Sequence, residues 1–179
     1  MTTIVGIQLS DGVIMGSDSL VTASNGDKYS HPSMVKISQR LHYLIAVSGD
    51  LEARDIIQHI WEPPTPTVSD RKDIYHFAIT KLIPSLKSCF RDNDYRWQGG
   101  DDDQQRFTCL VAVNGTLIEF SNDLSICLKE SGHYGIGSGS AYALGALHHG
   151  ASIEQALDAA VANDCFTCSP YLFRTQRRK

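Results

Sequence analysis

Short apolar stretches of strand length lie at both ends of the chain, and two blocks of helical periodicity separate and follow them. Residues 2–9 and 13–19 are small or apolar and are divided by Ser10-Asp11-Gly12, which predicts an N-terminal β-hairpin. A polar loop over 24–32 leads to two further strands, 34–38 and 41–48, joined at Gln39-Arg40. The second is apolar on both faces and is therefore expected at the centre of its sheet. Gly49 ends it, and Leu51, Ala53, Ile56, Ile57 and Ile60 then recur at helical spacing behind the acids Asp50 and Glu52. Pro63-Pro64-Thr65-Pro66 closes this helix. Ser69 or Asp70 can cap the next, which carries Ile74, Phe77, Ala78, Leu82 and Leu86 on one stripe, and Pro84 is expected to kink or shorten it.

The span 92–105, with Gly99-Gly100-Asp101-Asp102-Asp103, reads as a mobile, solvated acidic loop whose spacing lacks the ligand pattern of a calcium loop. Strands return at 107–113 and 116–120 across Asn114-Gly115, a strong hairpin signal, and again at 124–128 and near 133–136. Helices over 138–149 and from 153 to roughly 165 follow, with a short last strand near 171–174. Strands, two helices, strands, two helices: that order predicts an α+β protein in which two sheets are sandwiched between two helical layers, a four-layer αββα sandwich formed by a single domain over 1–179.

Composition narrows the function more than the fold. A chain of 179 residues, 42% apolar and 20% charged, suits one soluble domain, and it holds no run near the roughly 18 apolar residues of a membrane helix. The net charge of -4 gives no electrostatic reason to expect nucleic acid, and the basic cluster Arg174, Arg177, Arg178, Lys179 is expected to be a solvated tail. Met1-Thr2-Thr3-Ile4-Val5-Gly6 lacks the basic and apolar regions of a signal peptide, which predicts a cytoplasmic protein. The five cysteines are odd in number and scattered, as in a reducing compartment, and Cys165-x-x-Cys168 without a second pair or a nearby His is read as two buried, inert thiols. No metal and no cofactor are expected.

Four local patterns, each weak alone, gain meaning together: Thr2-Thr3-Ile4-Val5-Gly6, Gly16-Ser17-Asp18-Ser19, Val35-Lys36-Ile37, and Gly135-Ile136-Gly137-Ser138-Gly139-Ser140. Their order and spacing resemble the proteasome β-subunit family and its bacterial relative HslV, over nearly the whole chain. The resemblance implies the N-terminal-nucleophile hydrolase fold, loss of Met1, and a catalytic Thr2 approached by Asp18 and Lys36. The chemistry can be argued separately. A threonine hydroxyl is a poor nucleophile until a base takes its proton, and an α-amine with a pKa of about 8 suits neutral pH better than a lysine near 10.4. A terminal threonine carries both groups. Lys36 would favour the alkoxide and relay protons, while Asp18 would hold Lys36 and balance its charge.

By the same resemblance, Gly49 supplies a backbone N–H to an oxyanion hole, though Ser48-Gly49-Asp50 stands where relatives usually show a Gly-Gly-like pair. Ser138 orients the terminal amine or, on the alternative reading, caps a helix. Asp164 resembles the late supporting acid of that family, with Thr167 where relatives have a serine. Substrate would lie extended between Thr22 and Gly49 with Val47 beneath the first specificity pocket, an apolar, medium-sized hole. The implied activity is a threonine endopeptidase acting on peptides or unfolded proteins through an ester on Thr2. It would work in homo-oligomeric stacked rings, two hexamers or two heptamers, with an ATPase unfoldase as a possible partner. A non-catalytic ring or scaffold subunit and a small-molecule amidase are the competing readings.

Overall fold

The N-terminal alternation forms a hairpin in the computed structural model, which describes residues 2–22, 28–29, 35–97 and 107–178. Strands β1 (Thr3–Gln8) and β2 (Gly12–Asp18) pair antiparallel, with Ile4 opposite Ser17. The short pair β3 (Val21–Thr22) and β4 (Lys28–Tyr29) follows. Next come β5 (Ile37–Arg40) and β6 (Tyr43–Gly49), then β7 (Phe107–Val113), β8 (Thr116–Ser121), β9 (His133–Gly137) and, last in the chain, β10 (Tyr171–Arg177). One sheet has the order β10-β2-β1-β9 and the other β5-β6-β7-β8. Among the described residues no helix is long and apolar enough to cross a membrane.

Asn114 and Gly115 both take positive φ, 50° and 73°, so the expected two-residue turn joins β7 to β8. The turn between β5 and β6 departs from expectation: it lies at Leu41-His42, not Gln39-Arg40, because the positive φ of 50° falls on Leu41, an exposed residue with no turn chemistry of its own. Met34 lies outside the described residues. The strand expected at 124–128 does not form. Leu124 takes φ 61° and turns the chain back on Ser121, which leaves a single bridge between Glu119 and Cys127.

Helix α1 (Leu51–Asp55) runs on into a π-helical turn, Ile56–Ile60. The second helical block is α2 (Ile74–Phe77), a π-helical turn (Ala78–Leu82) and α3 (Ile83–Asp92), end to end. Its cap is Asp73, whose carboxylate accepts from His76 N–H at 2.9 Å; Asp70 instead opens a short 3-10 turn and holds Thr67. Pro84 sits in the first turn of α3, just past the wide π-helical turn, so the block continues through it. The last helices are α4 (Ser140–His148) and α5 (Ile153–Asn163), the latter opened by a capping box between Ser152 and Gln155.

Apolar burial falls into three clusters. Tyr43, Ile45 and Val47 of β6 share one with Ile57, Phe77 and Leu86 of the first helical block. Alternate residues of the same strand, Leu44 and Ala46, belong with Ile4 and Met15 of the other sheet. Val5 gathers with Ala143, Leu147, Leu157 and Ala160 of α4 and α5. The first part of the supposedly solvated 92–105 loop belongs to the core: Tyr95 is buried and its ring lies 4.8 Å from that of Phe90, against which Trp97 also stacks. Its remainder, 98–105, lies outside the described residues.

The backbone of the basic tail is docked up to Arg178, while the side chains of Arg177 and Arg178 are exposed as expected of a solvated end. β10 extends to Arg177 along β2, Arg178 N–H donates to Asp11 O at 2.8 Å, and its guanidinium donates to Gly115 O at 3.2 Å. Cys165 and Cys168, expected buried, are both exposed, because the chain leaves α5 at Asn163 and they sit on the turn beyond it.

Candidate active site

Antiparallel pairing of β1 with β2 and β9 brings the start of β1 beside the ends of the other two, since Thr3 is opposite Gly137 and Ile4 opposite Ser17. Asp18, the last residue of β2, therefore meets the first backbone N–H of β1: Thr3 N–H donates to its Oδ1 at 2.9 Å, and Leu20 N–H donates to its Oδ2 at 3.1 Å. Lys36, one residue before β5, places Nζ 2.5 Å from the same Oδ1, with both side chains buried. Gln58 fixes the lysine backbone by donating to Lys36 O at 2.9 Å.

Burial is the main influence on the Lys36 amine and pushes its pKa below the usual lysine value. The Asp18 charge and hydrogen bond oppose that shift, Arg54 adds to it, and Asp164 opposes it.

A second network meets β1 from the other side. Asp164, at the end of α5, accepts at Oδ2 from Ser138 at 2.8 Å and from Thr167 at 2.5 Å. Thr167 has spent its proton on Asp164, so Thr3 is the donor in the 2.5 Å contact between the two threonine hydroxyls. Burial alone would raise the Asp164 pKa; the hydrogen bonds from Thr167, Ser138 and Phe166 outweigh it and hold the carboxyl below the usual value. Ser138 Oγ also lies 3.5 Å from Thr2 O. Gly139 occupies the cap position of α4 and Ser138 takes no part in capping, so this serine faces the Thr2 side of the fold and not its helix.

Thr2 itself is buried, at 6% exposure, immediately before this doubly anchored Thr3. Two glycines shape its surroundings. At Gly137, with φ 92°, an added Cβ would sit 1.9 Å from Thr2 O; at Gly139 it would sit 2.2 Å from Thr3 Oγ1. Gly49, with φ 104°, ends β6 opposite Phe107 and is exposed. The adjoining Asp50 turns its carboxylate onto the start of α1, accepting from the N–H groups of Glu52 and Ala53 at 2.8 and 3.1 Å. A cleft of about 340 Å³ lies between Gly49 and Gly137 and is lined also by Ser48, Thr108 and Ser140.

Of the residues singled out in the sequence, Asp18, Lys36, Ser138 and Asp164 thus converge on Thr2-Thr3, and Gly49 lines the adjoining cleft. Val47 is 3% exposed and belongs to the helix-side core cluster. Thr22 lies in β3, opposite Lys28. Thr3, Gly137 and Gly139 stand within the sequence patterns without a role assigned to them, and no sequence pattern singles out Gln58. The glycines were visible as a Gly-x-Gly-x-Gly run, but the contacts of Thr3 and Gln58 depend on pairing distant in sequence.

No protein-family model matches the chain, and no curated protein matches it by sequence. Solved structures do. BPH of Thiobacillus denitrificans, in complex with epoxomicin, is 18% identical over 99% of this chain and 100% of its own, at a TM-score of 0.75. HslV of Trypanosoma brucei is 17% identical over 99% and 100%, at a TM-score of 0.67. Anbu of Yersinia bercovieri is 14% identical over 98% and 82%, also at 0.67. At these identities it is the architecture that is shared, and this chain has the fold of HslV and its proteasome-like relatives.

Proposed function

We propose that this chain is a threonine endopeptidase whose nucleophile is the Thr2 hydroxyl, freed for catalysis by removal of Met1. The observation that carries the reading is the buried Asp18–Lys36 pair hydrogen-bonded to the backbone N–H of Thr3, the residue that follows the buried Thr2. A buried ion pair is costly to assemble and seldom the best way to stabilise a fold, which favours a chemical reason for it. The epoxomicin carried by BPH, a neighbour in fold, supports the same reading.

In the proposed reaction the Thr2 oxygen attacks the carbonyl carbon of the scissile peptide bond while the Thr2 α-amine takes the hydroxyl proton. Lys36 stabilises the developing alkoxide, and the N–H of Gly49 the oxyanion. The amine proton passes to the leaving nitrogen, the C–N bond breaks, and an ester remains on Thr2. Water, deprotonated by the same amine, hydrolyses the ester and restores the hydroxyl. Asp18 holds Lys36; Ser138 positions the terminal amine through the Thr2 carbonyl, and Asp164 does so through Thr167 and the Thr3 hydroxyl. Substrate lies extended between Thr22 and Gly49, with Val47 forming the closed floor of the first specificity pocket.

The three apolar clusters support the four-layer αββα arrangement of helices, sheet, sheet and helices. Assembly into homo-oligomeric stacked rings in the cytoplasm, with peptides or unfolded proteins as substrate and an ATPase unfoldase as feeder, belongs to the same proposal. Its test is hydrolysis of fluorogenic peptides by the wild type, Thr2→Ala and Thr2→Ser. The expected result is no turnover in Thr2→Ala and reduced turnover in Thr2→Ser. Equal turnover in wild type and Thr2→Ala would remove Thr2 as nucleophile, and an inactive wild type that still assembles would favour the scaffold reading.

A further inference from the structure

At the end of the sandwich away from Thr2, the β5–β6 and β7–β8 turns and the end of β10 surround a cavity of about 220 Å³. Its walls are of two kinds. Leu41, Leu44, Pro66 and Val113 are apolar, whereas Arg71 and Arg177 are cationic. In a chain with a net charge of -4, two arginines on one cavity are a local reversal of sign.

Arg71 carries the argument. It lines the cavity, and its guanidinium makes no ion pair or side-chain hydrogen bond among the described residues; the same holds for Arg177. A guanidinium without a protein acceptor normally meets an anion or water. The carboxylate next in sequence does not serve it: Asp70 accepts from Lys81 at 2.8 Å and from Thr67, and these bonds draw its pKa down to about 2. Gln176, also in the wall, is committed to His42 O, Ala112 O and the N–H of Gly115. A second cleft, sharing Gln39 with the cavity, is lined by Arg40, His59 and Arg174 and extends the positive field.

We propose that this cavity binds a small organic carboxylate, its charge paired with Arg71 and Arg177 and its short apolar body against Leu44 and Val113. A guanidinium fork matches a carboxylate in two parallel hydrogen bonds. The volume equals about seven waters at roughly 30 Å³ each, enough for a branched acid of a few carbons. The site is separate from Thr2, and the proposal does not depend on peptidase activity.

The experiment is a titration of the full-length protein, read by amide chemical-shift changes in NMR, with isovalerate, its neutral isostere isovaleramide and inorganic phosphate. Isovalerate should give saturable shifts around residues 41–44, 71 and 113–115, weakened at least about tenfold in Arg71→Gln and in Arg177→Gln and unchanged in Thr2→Ala. Arg177→Gln keeps the test valid should Arg71→Gln fold poorly. Equal binding of isovalerate and isovaleramide, or unchanged binding in both arginine variants, would overturn the proposal. Tighter binding of phosphate than of isovalerate would also overturn it.

Discussion

Replacing Lys36 by Met keeps most of the buried stem and removes only the charge, leaving the Asp18 carboxylate enclosed without its cation. Breaking a buried pair from one side costs about 3–5 kcal/mol. Asp18 would still accept from Thr3 N–H at 2.9 Å and Leu20 N–H at 3.1 Å, which places this case near the lower end, about 3 kcal/mol. For a chain of this size that is a fall in Tm of roughly 6–12 °C. In the double variant Lys36→Met/Asp18→Asn no net charge is buried, and the asparagine oxygen can still accept from Thr3. The double variant should therefore be more stable than Lys36→Met alone, with a coupling energy of about 2 kcal/mol. The assay is chemical denaturation of the wild type, both single variants and the double, with oligomeric state checked at each step. A cost below about 1 kcal/mol for Lys36→Met, as for an exposed pair, or a double variant less stable than Lys36→Met, would refute the reasoning.

Gly137→Ala should cost more than the usual glycine-to-alanine penalty and prevent formation of the native start of β1, because the new Cβ would meet Thr2 O at 1.9 Å; hydrogen exchange of the β1 amides checks this. Asp164→Asn should lower kcat with little change in KM and leave the fold intact, since among the described residues the Asp164 carboxylate accepts from Ser138, Thr167 and the Phe166 backbone, and paired kinetics and circular dichroism would show it. Burial lowers the Lys36 pKa from 10.5, so the ammonium is lost at a lower pH than an ordinary lysine's. The alkaline limb of the pH–rate profile should accordingly fall below 10.5, and Lys36→Arg should remove it. The linkage has a definite sign: between the folded pKa and 10.5 the unfolded chain binds more protons, so this residue's contribution to stability rises with pH across that window.

Much of the fold could be read from local signals. Gly49 after an apolar run and Asn114-Gly115 between two others marked strand ends that the backbone confirms with positive φ. Where the chain turns without turn chemistry, at Leu41 and Leu124, the reading moved a turn by two residues and added a strand that does not form. Tyr95 and Trp97 were hidden among loop residues because their partners, Phe90 and Phe107, meet them only in the folded core. The candidate site was legible as separate short patterns, and Asp18 and Lys36 lie together as the resemblance carried by those patterns implied. The relay from Asp164 through Thr167 to Thr3 was not, because it joins residues up to 164 positions apart through strand pairing and the turn after α5.

The central claim is that Thr2, with its own α-amine, is the nucleophile, and intact mass before and after incubation with epoxomicin tests it most directly. The account predicts loss of Met1 and one adduct per chain, with none in Thr2→Ala. A chain that retains Met1 and gains no adduct, or an adduct that persists in Thr2→Ala, would contradict it.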